Sequence, residues 1–88
     1  MTGARVNRRR ELNELLPRIV AGADVMSLRQ IYVGVKKAAP WLVDDEPDPA
    51  AMHRLKWEHD VRWEIETLVA SGVLVRRREL GRGLYSVS

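Results

Sequence analysis

The stretch 57–87 constrains the fold most, because its apolar pattern changes there from helical to β-type. Apolar residues first recur at three- and four-residue steps, as they do on one face of a helix. Ser71 and Gly72 then end the helix, and two strand-forming runs follow at 73–75 and 84–87, separated by the turn 80–83. The pattern predicts a helix followed by a β-hairpin, and the helix stripe consists of Trp57, Val61, Ile65, Leu68 and Val69.

Upstream, the sequence predicts a first helix and a short strand. The helix starts at Asn7, and Pro17 predicts a break near Leu16, because proline has no N–H to donate in a helix interior. Gly22 is expected to take the left-handed conformation where this helix stops. Residues 25–26 then predict a short strand.

A second helix is predicted by its start and stop signals. Ser27 is followed three residues later by Gln30, the spacing of a capping box, in which each side chain accepts a hydrogen bond from the other residue's backbone N–H. Pro40 ends the apolar pattern that follows. The second helix therefore occupies most of 28–39.

The third helix is predicted to begin in an acidic segment. Residues 41–49 contain four acids and two prolines, which favours an irregular loop. Asp48 suits a helix cap and Pro49 suits a first helical position, so the helix is expected to run from there to Ala70. On a helical wheel, the side opposite the apolar stripe carries Met52, Lys56, His59 and Trp63.

The predicted order is helix, short strand, helix, helix, strand, strand. This order predicts an α+β fold, mainly α, of the winged helix-turn-helix type, in which three helices are joined to a small antiparallel β-hairpin that forms the wing. A chain of 88 residues can build one core. We therefore expect a flexible N-terminus at 1–6 and a winged-helix DNA-binding domain at 7–88.

Composition excludes several classes of protein. The chain has no cysteine, which excludes a disulfide scaffold, a thiolate zinc site and a cysteine nucleophile. It has no apolar run of about 20 residues and no signal-peptide pattern at its start, so we expect a cytoplasmic protein. The net charge is +3, and both ends of the chain are basic around the acidic segment, which favours a polyanionic partner.

The spacing of acids, lysines and histidines does not match the catalytic motifs considered next. The common restriction-nuclease core needs an acid two residues before a lysine to hold magnesium. At that spacing Lys36 follows Gly34, Lys37 follows Val35 and Lys56 follows Arg54. His53 and His59 are six residues apart, whereas two zinc-binding histidines on a helix are usually four apart. We therefore expect no catalytic residue, metal or cofactor.

Exposed cations on the third helix and the wing are the candidate DNA contacts, because base edges and phosphates are bound mainly by arginine, lysine and polar side chains. Three arginines at 8–10 are also able to bind phosphate. Glu58 and Asp60 are expected to pair with Arg62 or Arg54, or to accept a hydrogen bond from cytosine. The candidate contacts are Arg54, Lys56, His59, Arg62, Arg76, Arg78, Arg82, Ser27 and Arg29.

The tryptophans have different expected roles. Trp57 belongs to the core stripe, whereas Trp41 lies in the acidic segment and is free to stack on DNA or on a partner. Trp63 has two interpretations, a structural one, which we favour, and a contact one beside Lys56 and His59. A methyl group on adenine N6 lies in the major groove and needs apolar neighbours. Candidate contacts to a methylated base are Trp41, Met52 and Trp63.

The run 57–63, the step Ser71-Gly72-Val73-Leu74 and the strand 82–87 together resemble the winged-helix domain of Mrr-type restriction endonucleases. The motifs Leu15-Leu16-Pro17 and 27–31 are similar to upstream motifs of the same domain, and a related module ends the Dam-replacing restriction enzymes. The resemblance covers about 12–88. It departs from the family in the acidic segment and at Ser71, where an alanine is usual.

The resemblance implies a double-stranded DNA-binding specificity module in a restriction context, with N6-methyladenine as a candidate for the base that it reads. It implies a fused nuclease domain elsewhere and no catalysis in these residues, and we expect the isolated domain to be a monomer rather than a dimer. Two alternatives stay open: a small winged-helix transcriptional regulator, and a winged helix that contacts another protein.

Overall fold

The computed structural model describes residues 7–88, so the predicted flexible segment 1–6 lies outside the described residues. These residues form an α+β fold that is mainly helical, with three α-helices and two small antiparallel sheets. No helix within them is both long and apolar enough to cross a bilayer. The elements are α1 (Arg8–Val20), β1 (Met26–Ser27), α2 (Leu28–Ala38), β2 (Pro47–Asp48), β3 (Ala51–Leu55), α3 (Lys56–Ala70), β4 (Leu74–Arg76) and β5 (Leu84–Val87).

Helix α1 is continuous, so the predicted break near Leu16 is wrong. Asn7 caps the helix, as its side chain accepts a hydrogen bond from the Arg10 N–H at 3.1 Å. Pro17 lies inside the helix with buried residues on both sides, Leu16 and Val20, each with 0% of its surface exposed. Packing both residues into one core keeps the helix continuous through the proline, although Pro17 donates no intrahelical hydrogen bond.

The end of α1 also differs from the prediction. The glycines with positive φ among the described residues are Gly72, Gly81 and Gly83, so Gly22 does not take the left-handed conformation. Instead the chain leaves the helix through a tight turn in which the Gly22 N–H donates to the Ile19 carbonyl at 3.1 Å.

Helix α2 confirms the predicted capping box. The Gln30 N–H donates to Ser27 Oγ at 3.1 Å, and the Ser27 N–H donates to Gln30 Oε1 at 2.8 Å. The helix ends at Ala38, just before Pro40. A 3-10 turn, Pro40–Leu42, follows it and buries Leu42 in the core.

The predicted irregular loop is confirmed at 43–46, but Pro47–Asp48 pairs with Ala51–Leu55 in a β-hairpin, so the helix start at Asp48 is a wrong prediction. Asp48 is 6% exposed, and its Oδ1 accepts the Ala50 N–H at 2.9 Å, which builds a turn and not a helix cap. Asp-Pro is a signal for turns and helix starts alike, and pairing of β2 with β3 decides between them here. Helix α3 therefore begins at Lys56.

The pairing of β2 with β3 contains a large bulge. Pro47 lies opposite Leu55 and Asp48 lies opposite Ala51, so one step along β2 spans four residues of β3. The three residues left between the paired positions, 52–54, are all exposed. We call residues 52–54 the bulge. Met52 therefore does not lie on a helix, as the helical wheel had assumed.

Helix α3 ends as predicted at Gly72. Its φ is 83°, its N–H donates to the Val69 carbonyl at 3.1 Å, and the Val73 N–H donates to the Leu68 carbonyl at 2.9 Å. These two bonds make the Schellman motif, which needs a left-handed residue and therefore favours glycine. The chain then turns directly into β4.

The main sheet is antiparallel with the order β1-β5-β4. Tyr85 pairs with Met26 on one side and with Arg76 on the other. The predicted strand 84–87 is confirmed, while the strands predicted at 73–75 and 25–26 each begin one residue later, at Leu74 and Met26.

One core joins the three helices and the main sheet. Trp57 is 0% exposed, which confirms its predicted core role, and its ring lies edge-on to that of Tyr32 at a centroid distance of 5.5 Å. The predicted stripe of α3 faces this core, with Val69 at its margin. The core residues are Leu12, Leu16, Val20, Ile31, Val35, Ala39, Leu42, Trp57, Val61, Ile65, Leu68, Leu74 and Tyr85.

Candidate nucleic-acid interface

The side of α3 that faces away from the core is open to solvent. His59, Arg62 and Trp63 are exposed along it, because they lie about half a turn from the buried stripe. The His59 and Trp63 rings lie 6.3 Å apart between centroids. A cleft of about 360 Å³ follows this side, and we call it the α3 cleft; its lining residues are Leu28, Arg54, His59, Arg62, Trp63, Ile65, Glu66 and Tyr85.

The α3 cleft brings together three of the predicted DNA contacts, Arg54, His59 and Arg62. They come from two elements, since Arg54 belongs to β3 and the other two to α3. Arginine and histidine side chains offer N–H donors to base edges and phosphates. The cleft is therefore a donor-rich surface along the exposed length of a helix.

Lys56 does not join this group. Its Nζ lies 3.7 Å from Glu46 Oε1, and the side chain lines a separate cleft with Arg8, Trp41 and Asp60 on the α1 side of the molecule. Lys56, the first residue of α3, points away from the open side of the helix. The helical wheel was therefore wrong to group Lys56 with His59.

The β4–β5 hairpin carries the remaining predicted arginines. Arg76, Arg78 and Arg82 line a cleft of about 390 Å³ together with Gly81 and Gly83, and Arg78 and Arg82 are exposed. The two glycines have φ of 138° and 64°, a backbone that L side chains rarely adopt, so the shape of this turn depends on glycine.

Arg76 links this hairpin to α3. Its Nη2 donates to Glu66 Oε2, and this hydrogen bond raises the pKa of the Arg76 guanidinium. The Arg76 guanidinium carbon also lies 6.0 Å from the centre of the Tyr85 ring. The pairing joins the arginine-bearing hairpin to Glu66, which lines the α3 cleft.

Asp60 pairs with another cation than predicted, and no ion pair within residues 7–88 includes Glu58. Asp60 accepts a hydrogen bond from Arg8 Nη1 at 3.2 Å, and Arg8 Nη2 donates to Asp44 at 2.8 Å. The predicted pairs with Arg54 or Arg62 do not occur among the described residues. Arg54 and Arg62 thus keep their charges unpaired in the α3 cleft.

Two of the three arginines at the start of α1 are engaged within the protein, which weakens the prediction that they bind phosphate, whereas Arg10 is exposed. Arg9 Nε lies 3.3 Å from the buried Glu64 carboxylate, and its guanidinium carbon lies 5.6 Å from the centre of the Trp63 ring. Arg8 is held by the two acids described above. Trp63, which is 54% exposed, is therefore covered on one side by Arg9 and open on the other.

The three candidate methyl contacts lie in different places. Trp41 is 61% exposed on the α1 side, where its Nε1 donates to Glu11 at 3.0 Å. Met52 is 72% exposed in the bulge, and Trp63 lines the α3 cleft. Trp41 therefore does not form an apolar patch with the other two. Met52 is two residues from Arg54, which lines the α3 cleft together with Trp63.

Ser27 and Arg29 lie at the start of α2. Ser27 Oγ already accepts the Gln30 N–H, whereas Arg29 is exposed in a shallow cleft with Leu28 and Tyr32. The Leu28 N–H donates to the Gly83 carbonyl at 3.0 Å, which fixes the β4–β5 hairpin beside the start of α2.

Sequence reasoning missed Tyr32 and Glu66. Burial raises the pKa of Tyr32 from 10.0 to about 12, with nearby Arg62 opposing the shift. No sequence signal indicated that Tyr32 lies near Arg62. Nor does any local pattern connect Glu66 with Arg76, since the two are joined only by the turn after α3.

No three His, Asp or Glu side chains within residues 7–88 cluster as a metal site would require. In comparisons with known proteins, no family model, curated protein or solved structure is significantly similar to the chain. The site has therefore to be interpreted from its own geometry.

Proposed function

We propose that this domain binds double-stranded DNA as a winged helix, with α3 in the major groove and the β4–β5 hairpin as a wing beside it. The carrying observation is that Arg62 and His59 lie in the α3 cleft, and that Glu66 of the same cleft is hydrogen-bonded to Arg76 of the arginine-bearing hairpin. The order of the helices and the sheet order β1-β5-β4 support this proposal, because they are the order expected for a winged helix in which the β2–β3 hairpin is inserted between α2 and α3.

The dimensions of DNA fit this use of α3. The major groove is about 12 Å wide and admits one helix, whose side chains then meet the base edges. Helix α3 has 15 residues, and at about 1.5 Å per residue it is long enough to lie across several base pairs. Arg62 and His59 would donate to base edges, while Arg78 and Arg82 would bind phosphates.

A binding assay on α3 tests the proposal. A labelled pool of random duplexes is titrated with the protein at ~50 mM salt, where phosphate contacts are strong. We expect Arg62→Ala to weaken binding by about 1–3 kcal/mol, because one base contact has roughly that value. Arg18→Ala is the matched control, since Arg18 is an exposed arginine on α1.

Two results would contradict the proposal. One is a wild-type protein that binds no duplex at this salt concentration. The other is an equal loss in Arg62→Ala and Arg18→Ala, since this would show attraction by net charge without use of α3.

The resemblance to restriction endonucleases supports a finer version of the proposal. In it, the domain is the specificity module of a restriction enzyme with a fused nuclease domain, and N6-methyladenine is part of its target. Paired duplexes with and without N6-methyladenine or 5-methylcytosine test this version. Equal affinity for each pair at all candidate sites would remove methyl reading and leave DNA binding intact.

Contact with another protein is the second candidate function. It is favoured by Trp41, which is 61% exposed and lies beside acidic side chains, Glu11 and Glu14. An exposed tryptophan is a typical anchor of a protein interface. If Trp41→Ala weakens the association of the domain with a partner protein but leaves duplex affinity unchanged, this side of the domain is an interface.

A further inference from the structure

The bulge 52–54 lies where a helix-turn-helix protein usually has a short turn. A turn of three or four residues normally joins the two helices of that motif. Here residues 39–55 separate α2 from α3, and β3 leads into α3 without a break between Leu55 and Lys56. Any groove that receives the start of α3 must therefore accommodate this hairpin as well.

The bulge projects its side chains into solvent. Met52 is 72% exposed, and His53 and Arg54 are also exposed, whereas the flanking Ala51 and Leu55 are partly buried. None of the ion pairs within residues 7–88 includes His53 or Arg54. Bulges commonly redirect side chains next to functional sites.

The bulge also lies on the correct side of the molecule. Arg54 lines the α3 cleft together with His59 and Arg62, so at least this side chain reaches the open side of α3. It adds to the positive charge near Tyr32, where Arg54 and Arg62 both favour ionisation of the phenol.

Three of the four acids in the segment 41–49 are engaged away from the α3 cleft, and the fourth, Asp45, is exposed and does not line that cleft. Asp44 pairs with Arg8, Glu46 pairs with Lys56, and Asp48 is buried in its turn. Neither Asp44 nor Glu46 lines the α3 cleft. The acidic segment, which looked unfavourable for DNA binding, therefore leaves the bulge itself basic.

We propose that the bulge is a second DNA-reading element, which extends the contact beyond the start of α3 along the same major groove. This inference rests on the proposed function, since it requires that α3 lies in the groove. In it, Arg54 donates to a base edge next to the site of α3, and Met52 packs against the methyl group of a thymine.

The bulge sets the size of the extension. Ala51 and Leu55 lie opposite neighbouring residues of β2, so residues 52–54 loop outward and the extension is limited to the base pairs that Met52 and Arg54 reach. A DNA site read by α3 alone would be shorter by those base pairs. The extension lies on one side of the site, because the bulge is found only at the N-terminal end of α3.

Hydroxyl-radical footprinting of a bound duplex tests the inference. The duplex is first selected from a random pool with the wild-type protein. The variant Met52→Ala/His53→Ala/Arg54→Ala keeps the chain length, and its three sites are exposed, so it should retain the wild-type thermal unfolding. We expect it to lose protection at one edge of the footprint and about tenfold in affinity.

Single variants separate the contributions. Arg54→Lys keeps the charge but not the planar guanidinium, so we expect it to lose the base preference at that edge while it retains most of the salt dependence. Uracil in place of thymine at the same edge should weaken the wild-type protein and leave Met52→Ala unaffected. Arg62→Ala should instead weaken the contacts at the centre of the site and lower the affinity in that way.

The outcomes distinguish this inference from the proposed function. A triple variant that keeps the full footprint and binds within about twofold of wild type overturns the reading role of the bulge while duplex binding stands. A wild-type protein that protects no duplex overturns both. A uniform loss of protection in the triple variant, with no edge effect, also contradicts the extension.

Discussion

The Tyr32 hydroxyl is the side-chain group whose pKa the fold changes most clearly among the residues described above. The ring packs edge-on against Trp57, and burial raises the pKa of Tyr32 to about 12. Burial favours the neutral phenol, because a charged phenolate loses hydration in the protein. Arg62 stands close enough to oppose this effect, so Tyr32 lies near the proposed DNA surface.

Tyr32 should make stability depend on pH in the alkaline range. The unfolded chain releases the phenol proton near pH 10, whereas the folded protein keeps it to about pH 12. The free energy of unfolding should therefore fall as the pH rises between these values, and be unaffected by this group below about pH 10. Urea denaturation of wild type and Tyr32→Phe at several alkaline pH values measures the difference, and parallel pH profiles would contradict the assignment.

Glu64 is a buried carboxylate whose donors come from α1. It is 5% exposed and accepts hydrogen bonds from Asn13 Nδ2 at 2.8 Å and Arg9 Nε at 3.3 Å. We expect Glu64→Ala to lower the free energy of unfolding by about 1–3 kcal/mol, because both donors lose their acceptor. Glu14→Ala, at an exposed site on α1, should change it by less than about 0.5 kcal/mol. Equal stability of the two variants would show that the Glu64 contacts contribute nothing.

At the scale of elements, α1 shows tertiary packing overriding a local signal. Pro17 should have broken the helix, but Leu16 and Val20 are both buried in the same core. A proline in a helix interior costs roughly 3 kcal/mol relative to alanine. The core must therefore stabilise the continuous helix by more than this amount.

Replacing the proline should release that cost. We expect Pro17→Ala to raise the free energy of unfolding by about 2–3 kcal/mol, since alanine restores the N–H donor to the Asn13 carbonyl. Urea denaturation measures the change, with Arg18→Ala as the neighbouring exposed control. A loss of stability in Pro17→Ala would mean that the core depends on the shape that proline gives to α1.

In the hairpin before α3, tertiary structure overrides a local signal for a helix start. Asp48-Pro49 satisfies the rules for a helix start, yet Asp48 forms a turn with Ala50 and β3 occupies the next five residues. Pairing of Pro47 with Leu55 and packing of Leu55 against the core secure the hairpin. The helix starts only where the chain regains contact with α1 and α2.

For the whole molecule, the charges divide into two sides. On the α1 side, Arg8 and Lys56 are paired with acids, whereas Arg54 and Arg62 on the α3 side form no ion pair within residues 7–88. The small net charge of +3 thus conceals a basic surface and a balanced one. A polyanion would be attracted to one side of the domain.

The salt dependence of the proposed DNA binding should show whether the arginines of the β4–β5 hairpin contact phosphates. Each lost phosphate contact reduces the slope of log K against log salt by ~0.9. We expect the double variant Arg78→Ala/Arg82→Ala to reduce the slope by about 1.8, whereas Arg76→Ala, whose charge Glu66 already pairs, should change it less. Titrations at several salt concentrations measure the slopes, and an unchanged slope in the double variant would remove the hairpin from the phosphate contacts. Sizing in solution checks the expected monomer.

Features that depend on near neighbours could be predicted from the sequence alone. The capping box of Ser27 and Gln30, the glycine stop at Gly72 and the α3 stripe from Trp57 to Leu68 were all predictable. Each arises from hydrogen bonds or periodicity within a few residues, so its energy is local. The overall α+β arrangement followed from the order of these signals.

The start of α3, the bulge and the distribution of charge depend on long-range packing. The Arg8 pairs with Asp44 and Asp60 join residues 36 and 52 positions apart, and the contact between Arg76 and Glu66 crosses a turn. Such contacts form only after the helices have packed, because the core sets which side chains meet. The same packing brings Arg54 from a strand to the open side of a helix.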